Sequence, residues 1–284
     1  KRLTTNYSII QSICIMGYCS VFSFASVFLL SRGFTNSMIG MILTIASGLG
    51  LLVSPIVAGF AKKKKKLSLR SIAAILLTLT AVTGFLLLFT SSVMLPTAIL
   101  YILLITFFST HVPLVTSMAM AHINNGVPIN FSLARGIGSF TFAILSFILG
   151  FLVDDYGVWV IMAVNIGIGL LGAILVATFR KPQNLSISTP EKGIKASGLI
   201  EFGLKNMRFM AIVGSIALLY ISHVIINTYT IQIIQNVGGD NSDMGIATSI
   251  AGFLELPAMA LFPFIYKRMR NAEKIMKLSG VFFV

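Results

Sequence analysis

The sequence predicts an all-α protein that crosses a membrane several times, with six helices in a first half and further helices in a second. Hydrophobic residues make up 56% of the 284 residues and charged residues 10%, whereas a globular domain typically carries about 25% charged residues. Several apolar runs exceed the roughly 18 residues that mark a membrane-spanning helix. One long polar stretch, residues 180–208, interrupts these runs, and its prolines, glycines and basic residues are typical of a solvated linker.

The apolar runs divide the chain into three predicted regions. Residues 1–179 form an N-terminal transmembrane half, residues 180–208 a basic cytoplasmic linker, and residues 209–284 part of a C-terminal half. The chain has no initial Met and ends a few residues into a ninth apolar run, too few for a bilayer of about 30 Å, so we expect a C-terminally truncated fragment. The eight complete predicted spans are 8–30, 37–61, 69–90, 96–121, a fifth that begins near 130, 158–179, 209–235 and 244–266.

The net charge of +13 follows the predicted membrane topology. Lys and Arg cluster before the first span, after the second, in the linker and after the eighth. The loops on the other side hold Arg32 and the acidic residues Asp154, Asp155, Asp240 and Asp243. Because cytoplasmic loops carry an excess of positive charge, this asymmetry predicts a multi-pass protein of the cell membrane with a cytoplasmic N-terminus. It also argues against nucleic-acid binding, since the basic residues mark one side of the membrane.

The cysteines and histidines do not form a recognisable metal or redox site. Cys14 and Cys19 lie five apart on one predicted helix, where their side chains diverge, so neither a disulfide nor a metal site follows. His111 and His122 share a helix face but stand about 16 Å apart along the axis, too far for one ion. The motifs GxSxG and HExxH and a phosphate-binding loop are all missing from the sequence. The sequence therefore predicts no catalytic residue, no metal and no cofactor.

Glu255 is the one acidic residue inside a predicted span. A carboxylate near the centre of a bilayer costs on the order of 2.5–3.5 kcal/mol, so it requires a partner, a wet cavity or protonation. Pro257 leaves the carbonyl of Phe253 without its donor and predicts a broken helix beside the carboxylate. Glu255 is either a proton-coupling residue or a protonated structural residue bonded to such a carbonyl. The rarity of acids inside membranes favours the first interpretation.

Polar and aromatic residues on other spans extend this candidate site. Arg135 opens the fifth span and shares a face with Phe142, although its position also allows it to reach the lipid headgroups. Tyr18 lies on the polar face of span one. His223 and Asn227 belong to a polar stripe on span seven, where the alternative interpretation is a hydrogen bond between the two. Titratable groups inside the membrane occur on spans four, five, seven and eight but not on spans three and six, and this distribution predicts a polar cavity.

The segment NFSLARGIGSFTFA, which contains Arg135, resembles the fifth helix of the lactose permease-like transporters of the major facilitator superfamily. That group of oligosaccharide and nucleoside–proton symporters also has six helices, a basic central loop and a second half. The resemblance implies that Arg135 binds sugar hydroxyls and that Phe142, where the family usually has Trp, stacks on a sugar ring. It further implies that Glu255 matches an intramembrane glutamate of the eighth helix.

These features predict a secondary active transporter rather than an enzyme. It would move a sugar, oligosaccharide or nucleoside by alternating access, coupled to protons, because a lone carboxylate cannot build the oxygen-rich site that sodium requires. The predicted partners are this solute, protons and the lipid bilayer, and the protein is predicted to be a monomer. The alternatives are an intramembrane enzyme and a lipid translocase. The predicted substrate-binding residues are Tyr18, Arg135, Phe142, His223 and Asn227, and the predicted proton-coupling residues are Glu255 and His223.

Overall fold

The structure is a computed structural model, and it describes residues 2–63, 68–90, 93–180, 196–271 and 275. All regular secondary structure in these ranges is helical. Two predictions fall partly or wholly beyond them: residues 181–195 of the linker, and the start of the ninth span after Lys277, lie outside the described residues.

Eleven α-helices and one π-helical turn follow one another along the described ranges. Seven helical segments are long and apolar enough to cross a membrane, and they fall at the predicted spans one to seven. The eighth predicted span lies within a single helix of 29 residues. The helices are α1 Arg2–Tyr18, α2 Ala25–Ser31, α3 Asn36–Lys63, α4 Leu69–Phe89, α5 Met94–Asn124, α6 Phe131–Tyr156, α7 Trp159–Thr178, α8 Ala196–Lys205, α9 Met207–Thr228, α10 Thr230–Asn236 and α11 Asn241–Met269.

Three of the predicted spans differ from the helices that form. A π-helical turn, Cys19–Ser23, divides the first span into α1 and α2. The seventh predicted span divides at Tyr229 into α9 and α10. The break predicted beside Glu255 is wrong, because α11 continues through Pro257. A proline removes one hydrogen bond of the helix, and the other bonds of so long a helix hold it together.

The predicted linker contains a helix that its composition does not predict. Helix α8 covers its last third, and the side chains of Glu201 and Lys205 form an exposed ion pair one turn apart, with 2.7 Å between Oε1 and Nζ. Such i, i+4 pairs stabilise a helix by only about 0.2–0.5 kcal/mol. The pair therefore supports α8 without requiring an apolar core.

Helix ends near the candidate site have recognisable caps. Asn130 begins α6, with its side-chain oxygen accepting from the backbone N–H of Leu133 at 3.0 Å. Gly157 ends α6 with a φ of 94°, a left-handed value that a residue with a Cβ rarely adopts. These two residues place the start and the end of the helix that carries Arg135.

The start of α11 has a reciprocal cap formed by two aspartates. Asp240 Oδ1 accepts from the backbone N–H of Asp243 at 3.0 Å, and Asp243 Oδ2 accepts from the N–H of Asp240 at 3.1 Å. The hydroxyl of Ser242 also donates to Asp240 Oδ1 at 2.6 Å. The Ser242 hydroxyl and the Asp243 N–H together hold the pKa of Asp240 below its usual 3.8.

The described chain forms two compact units. The first combines Lys1–Lys181 with Thr228–Leu261, and the second combines Pro182–Asn227 with Phe262–Val284. Within the first unit, α4 packs on α5 and α7, α1 packs on α6, and α3 packs on α5. In the second unit, none of the described side chains of α9 is buried.

Two apolar clusters form the core of the first unit. One surrounds Phe28 and Tyr101, whose rings stack with centroids 5.8 Å apart. The other surrounds Tyr7, whose ring packs against Phe131 and Phe179 at centroid distances of 6.0 and 6.3 Å. Both clusters include residues of the first span, which has the largest buried share of the seven spans at 67%. The first span is therefore central to the packing of this unit.

Candidate functional site

One hydrogen bond between α6 and α11 connects the surroundings of two predicted site residues, Arg135 on α6 and Glu255 on α11. The hydroxyl of Ser139, buried one turn after Arg135, donates to Glu255 Oε2 at 2.8 Å. The hydroxyl oxygen of Ser139 also lies 3.5 Å from the backbone carbonyl oxygen of Arg135, to which it can donate. Arg135, Ser139 and Glu255 are called the carboxylate end of the α6–α11 contact below. Ser139 thus links the helix of the predicted substrate-binding arginine to the helix of the predicted proton-coupling carboxylate.

Phe142 lies next to the carboxylate end. It is half-buried, and a Cβ added to Gly252 of α11 would lie 3.2 Å from its Cδ1 atom. Gly252 is three residues before Glu255, so the ring of Phe142 contacts α11 within one turn of the carboxylate. Three predicted residues, Arg135, Phe142 and Glu255, are therefore brought together along one helix pair.

The side chains of Arg135 and Glu255 are both exposed within the described chain. They do not pair with each other, since the one ion pair among the described residues joins Glu201 and Lys205. A guanidinium and a carboxylate that accepts from a hydroxyl are groups that can exchange their partners for a polar ligand. This end of the helix contact is chemically equipped to bind hydroxyl groups and to hold a proton.

The opposite end of the α6–α11 contact is closely packed. A Cβ added to Gly150 would lie 2.6 Å from the carbonyl oxygen of Asn241 and 3.0 Å from the Cα of Gly245. Between the two ends, the hydroxyls of Ser146 and Thr248 are hydrogen-bonded to each other in a buried position. Small residues allow helices in a membrane to approach until their backbones touch. No side chain larger than hydrogen fits at Gly150 without moving α11.

Asp154 closes this packed end by capping α11 from another helix. Its Oδ1 accepts from Asn241 Nδ2 at 2.6 Å, and its Oδ2 accepts from the backbone N–H of Ser242 at 2.7 Å. The N-terminus of a helix leaves N–H groups unpaired and carries partial positive charge, so a carboxylate there is stabilising. Gly150, Gly245 and Asp154 are called the glycine end below.

Tyr18 belongs to a row of aromatic rings rather than to the carboxylate end. It is 45% exposed and stacks on Phe22, with ring centroids 4.8 Å apart. Phe22 contacts Phe108 at 6.0 Å, and Phe108 contacts the buried ring of His111 at 4.6 Å. The row begins where the π-helical turn begins, and π turns are frequent at functional sites. Tyr18 is the exposed end of this row.

His223 and Asn227 lie on α9, in the second unit. Asn227 Nδ2 donates to the backbone carbonyl of His223 at 2.9 Å and lies 3.2 Å from the ring Nε2 of the same histidine. Tyr220 packs against His223 with centroids 5.6 Å apart. The side-chain contact between His223 and Asn227, one of the two interpretations of this stripe, is therefore present.

The remaining histidines do not assemble a metal site. His111 is fully buried, whereas His122 Nε2 lies 2.9 Å from the backbone oxygen of Arg180. Throughout the described part of the chain, no group of three or more His, Cys, Asp or Glu side chains is placed to hold a metal ion. The site is instead one of hydroxyl, guanidinium, carboxylate and aromatic groups.

Two residues of this region escaped the sequence-based prediction. Ser139 shares a face with Arg135, but nothing in its spacing identifies Glu255 as its partner. Asp154 reads as an acidic loop residue, and its role depends on Asn241 and Ser242, which lie far along the chain. The first N–H groups of a helix have no partner within that helix and require an acceptor. The start of α11 is therefore the signal that could have pointed to an acidic residue such as Asp154.

The fold resembles solved structures of one transporter. A mutant form of the nucleoside transporter NupG matches with a TM-score of 0.72, and NupG itself with 0.70. Each shares 17% sequence identity with the chain, and each match covers 94% of this chain and 68% of the transporter. No curated protein sequence matches the chain.

The sequence profile of the MFS_1 like family matches residues 16–278, nearly the whole chain. Seven helices long and apolar enough to cross a membrane, and the fold shared with the transporter structures, agree with this match. The chain therefore belongs to the MFS_1 like family and is a multi-pass membrane transporter of the major facilitator superfamily.

Proposed function

We propose that the protein carries a small polar solute together with a proton, and that the solute binds at the carboxylate end of the α6–α11 contact. The observation that carries this proposal is the hydrogen bond from Ser139 to Glu255, one turn from Arg135. It supports a site in which a guanidinium, a hydroxyl and a carboxylate are all within reach of one ligand.

Each side chain has a distinct role in the proposed site. Arg135 offers a planar fork of N–H donors that binds two hydroxyl oxygens at once. Phe142 provides an apolar face for a ring, and Tyr18 offers a second aromatic surface at the exposed end of its row. His223 and Asn227 contribute ring and amide donors from the second half of the protein.

Proton coupling is proposed to depend on Glu255. A carboxyl group in a membrane is stable when it is protonated or when its charge is compensated. Solute binding changes what surrounds the carboxyl, so a solute and a proton can favour each other's binding. His223 is proposed to pass the proton on, because imidazole gains and loses a proton near neutral pH.

The solute class is proposed to be a nucleoside, with sugars and oligosaccharides as the second candidates. The solved structures of similar fold belong to a nucleoside transporter. An arginine fork suits the hydroxyls of a ribose or of a pyranose, and an aromatic face suits either a base or a sugar ring. Competition between labelled uridine and unlabelled sugars in one uptake assay separates the two classes.

The topology follows the distribution of charge. We propose a cytoplasmic N-terminus in the cell membrane, a transmembrane half over residues 1–179, a cytoplasmic linker over 180–208 and part of a second half from 209 onward. We further propose that the protein acts as a monomer. Reporter domains fused after Lys192 and after Asp155 test the orientation, since the first is expected in the cytoplasm and the second outside.

The first test of the site replaces Arg135 by Lys in the full-length protein. A lysine keeps the charge but loses the planar fork. Because hydrogen bonds to charged groups contribute about 1.5–3 kcal/mol, solute affinity should fall roughly 10- to 150-fold. Arg208→Lys, on α9, is the matched control and should bind normally. Normal affinity of Arg135→Lys would mean that Arg135 only extends to the headgroups.

The second test replaces Glu255 by Gln, which imitates the protonated acid. Exchange of labelled solute across proteoliposome membranes should continue, whereas accumulation driven by a pH gradient should be lost. Glu201→Gln removes a carboxylate from the exposed ion pair of α8 and should leave accumulation intact. If Glu255→Gln still concentrates solute against its gradient, Glu255 is structural and does not couple the proton.

The two alternative functions predict different products. An intramembrane enzyme would convert the solute chemically, and a lipid translocase would move a labelled phospholipid between leaflets. Chromatography of the accumulated solute and a lipid-flip assay in the same proteoliposomes distinguish both from transport. Recovery of unchanged solute inside the vesicles, without lipid movement, is the expected result.

A further inference from the structure

A cavity of about 420 Å³ lies in the first unit beside the start of α1 and the end of α7, away from the α6–α11 contact. The start of α1, the loop between α5 and α6, and the end of α7 surround it. Two arginines, Arg2 and Arg180, line it from different segments, and none of the described residues that line it is acidic. The other lining residues are Leu3, Asn6, Val127, Pro128 and Thr178.

The wall formed by the end of α7 is held in place by two neighbouring helices. His122 of α5 bonds through Nε2 to the backbone oxygen of Arg180 at 2.9 Å. Arg70 of α4 donates from Nη1 to the backbone oxygen of Phe179 at 3.1 Å. The ring of Phe179 packs edge-on against His122, with centroids 5.4 Å apart. The backbone that carries Arg180 is therefore fixed from two sides.

The two arginines give the cavity a positive charge that favours binding of an anion. Arg2 and Arg180 form no ion pair within the described chain, where the single pair joins Glu201 and Lys205. Two guanidinium groups that share a cavity repel each other unless an anion lies between them. The planar donor fork of arginine matches the oxygens of a phosphate group, often with two parallel hydrogen bonds.

The position of the cavity selects the kind of anion. Arg180 follows the end of α7 at Thr178, so the cavity lies where this span leaves the apolar part of the bilayer. We propose that it binds the phosphate of an anionic phospholipid headgroup, with Arg2 and Arg180 on the phosphate and Leu3, Val127 and Pro128 against the glycerol carbons. Basic pockets between membrane helices bind anionic headgroups in this way.

The leaflet that supplies the lipid follows from the proposed topology, but binding itself does not. Under that topology the cavity opens at the cytoplasmic leaflet. A binding experiment in detergent solution is independent of orientation and of the transported solute. Its failure would leave the proposed solute site untouched.

The test is a lipid titration of the purified protein in a neutral detergent, followed by its thermal unfolding midpoint. Phosphatidylglycerol should raise the midpoint, whereas phosphatidylcholine and inorganic phosphate should not. Each basic residue near a charged membrane surface contributes about fivefold to binding. The double variant Arg2→Gln with Arg180→Gln should therefore bind phosphatidylglycerol about 25-fold more weakly, so that the same rise in the midpoint requires about 25-fold more lipid. Arg208→Gln removes the same charge from α9 and should leave the effect unchanged.

Each other outcome overturns the proposal. An equal effect of inorganic phosphate would identify a soluble anion as the ligand, and an equal effect of phosphatidylcholine would exclude recognition of charge. A full phosphatidylglycerol effect in the double variant would place the lipid elsewhere. If the double variant does not fold, Arg2→Gln and Arg180→Gln taken singly decide the matter, each with an expected loss of about fivefold.

Discussion

The two ends of the α6–α11 contact are formed by different kinds of interaction. At the glycine end the two backbones touch, so a Cβ on Gly150 would meet the backbone of α11 at 2.6 Å. At the carboxylate end the hydroxyl of Ser139 joins the helices, at 2.8 Å from Glu255 Oε2. Arg135 and Glu255 are exposed at this second end. The same pair of helices is thus closed at one end and chemically accessible at the other.

The difference indicates where a solute can enter. A backbone contact leaves no volume for a ligand and cannot be exchanged for a contact with one. A side-chain hydrogen bond can be exchanged, because a solute hydroxyl can replace Ser139 as the donor to the carboxylate. The carboxylate end is therefore the part of the contact suited to binding, and the glycine end is the part suited to holding the helices together.

The largest effect is expected when the glycine end is forced apart. Gly150→Leu places a side chain against the backbone of α11, and overpacking of this kind costs about 1–3 kcal/mol. The buried Thr248, replaced by Cys, should then react with a water-soluble maleimide roughly 5- to 150-fold faster. The measurement uses a background in which Cys14 and Cys19 are replaced by Ala.

Gly167 provides the matched control for this experiment. A Cβ added to Gly167 of α7 meets no atom within 4 Å, so Gly167→Leu should leave the labelling rate of the same cysteine unchanged. Equal labelling of the Gly150 and Gly167 variants would show that the close approach of the two backbones does not keep this end closed.

A smaller effect is expected when the cap of α11 is removed. Asp154→Ala takes both acceptors away from Asn241 and Ser242, and loss of a cap costs about 0.5–2 kcal/mol. The thermal midpoint in detergent should fall by roughly 2–4 °C for each kcal/mol lost. Asp155→Ala removes the adjacent carboxylate, which takes no part in these bonds, and should leave the midpoint in place. Equal shifts for the two variants would assign the effect to net charge.

A still smaller effect on stability is expected at the carboxylate end. Ser139→Ala removes one hydroxyl from Glu255, and a typical hydrogen bond contributes about 0.5–1.5 kcal/mol. The proton gradient should drive less accumulation, and Ser139→Thr, which keeps the hydroxyl, should restore it. An unfolding midpoint that drops as far as that of Gly150→Leu, with transport unaffected, would contradict the division between the two ends.

The smallest effect is a pH dependence of the cap itself. The pKa of Asp240 is lowered by the Ser242 hydroxyl and the Asp243 N–H, so this group contributes stability above its ordinary pKa of 3.8. That contribution is lost as the pH falls through the lower pKa of the folded state. Between neutral pH and pH about 3, the midpoint of Asp240→Asn should therefore change slightly less than that of the unaltered protein. Parallel curves would contradict the cap.

The apolar runs predicted seven of the spans at the correct places because hydropathy and length alone determine what can cross a bilayer. They also placed Arg135, Phe142 and Glu255 on helices that meet. The partner of Glu255 could not be predicted, because a helical stripe shows which residues share a face and not which helix that face contacts.

The small residues of α6 illustrate the same limit. Ser139 and Ser146 are polar and Ala143 and Gly150 are small, so their residue types do not mark a common face, yet all four residues lie against α11. Their spacing of four, three and four residues is that of a single stripe. The break expected at Pro257 was wrong for a local reason, since one missing hydrogen bond does not end a helix of this length.

The π-helical turn at Cys19–Ser23 makes the first span sensitive to its residue count. Each residue of an α-helix advances the direction of its side chain by about 100°, so the additional residue of the turn changes the phase between α1 and α2. Upstream, α1 presents its side chains to α6; downstream, Phe28 of α2 is aimed at Tyr101. If the same residues formed a regular helix, α2 would rotate by about 100° away from its neighbours, and deletion of one residue from the regular part of α1 would have a similar effect. Deletion of one residue within the turn would instead leave a regular helix that aims α2 as before. The turn is therefore the part of the first span that tolerates a change of length.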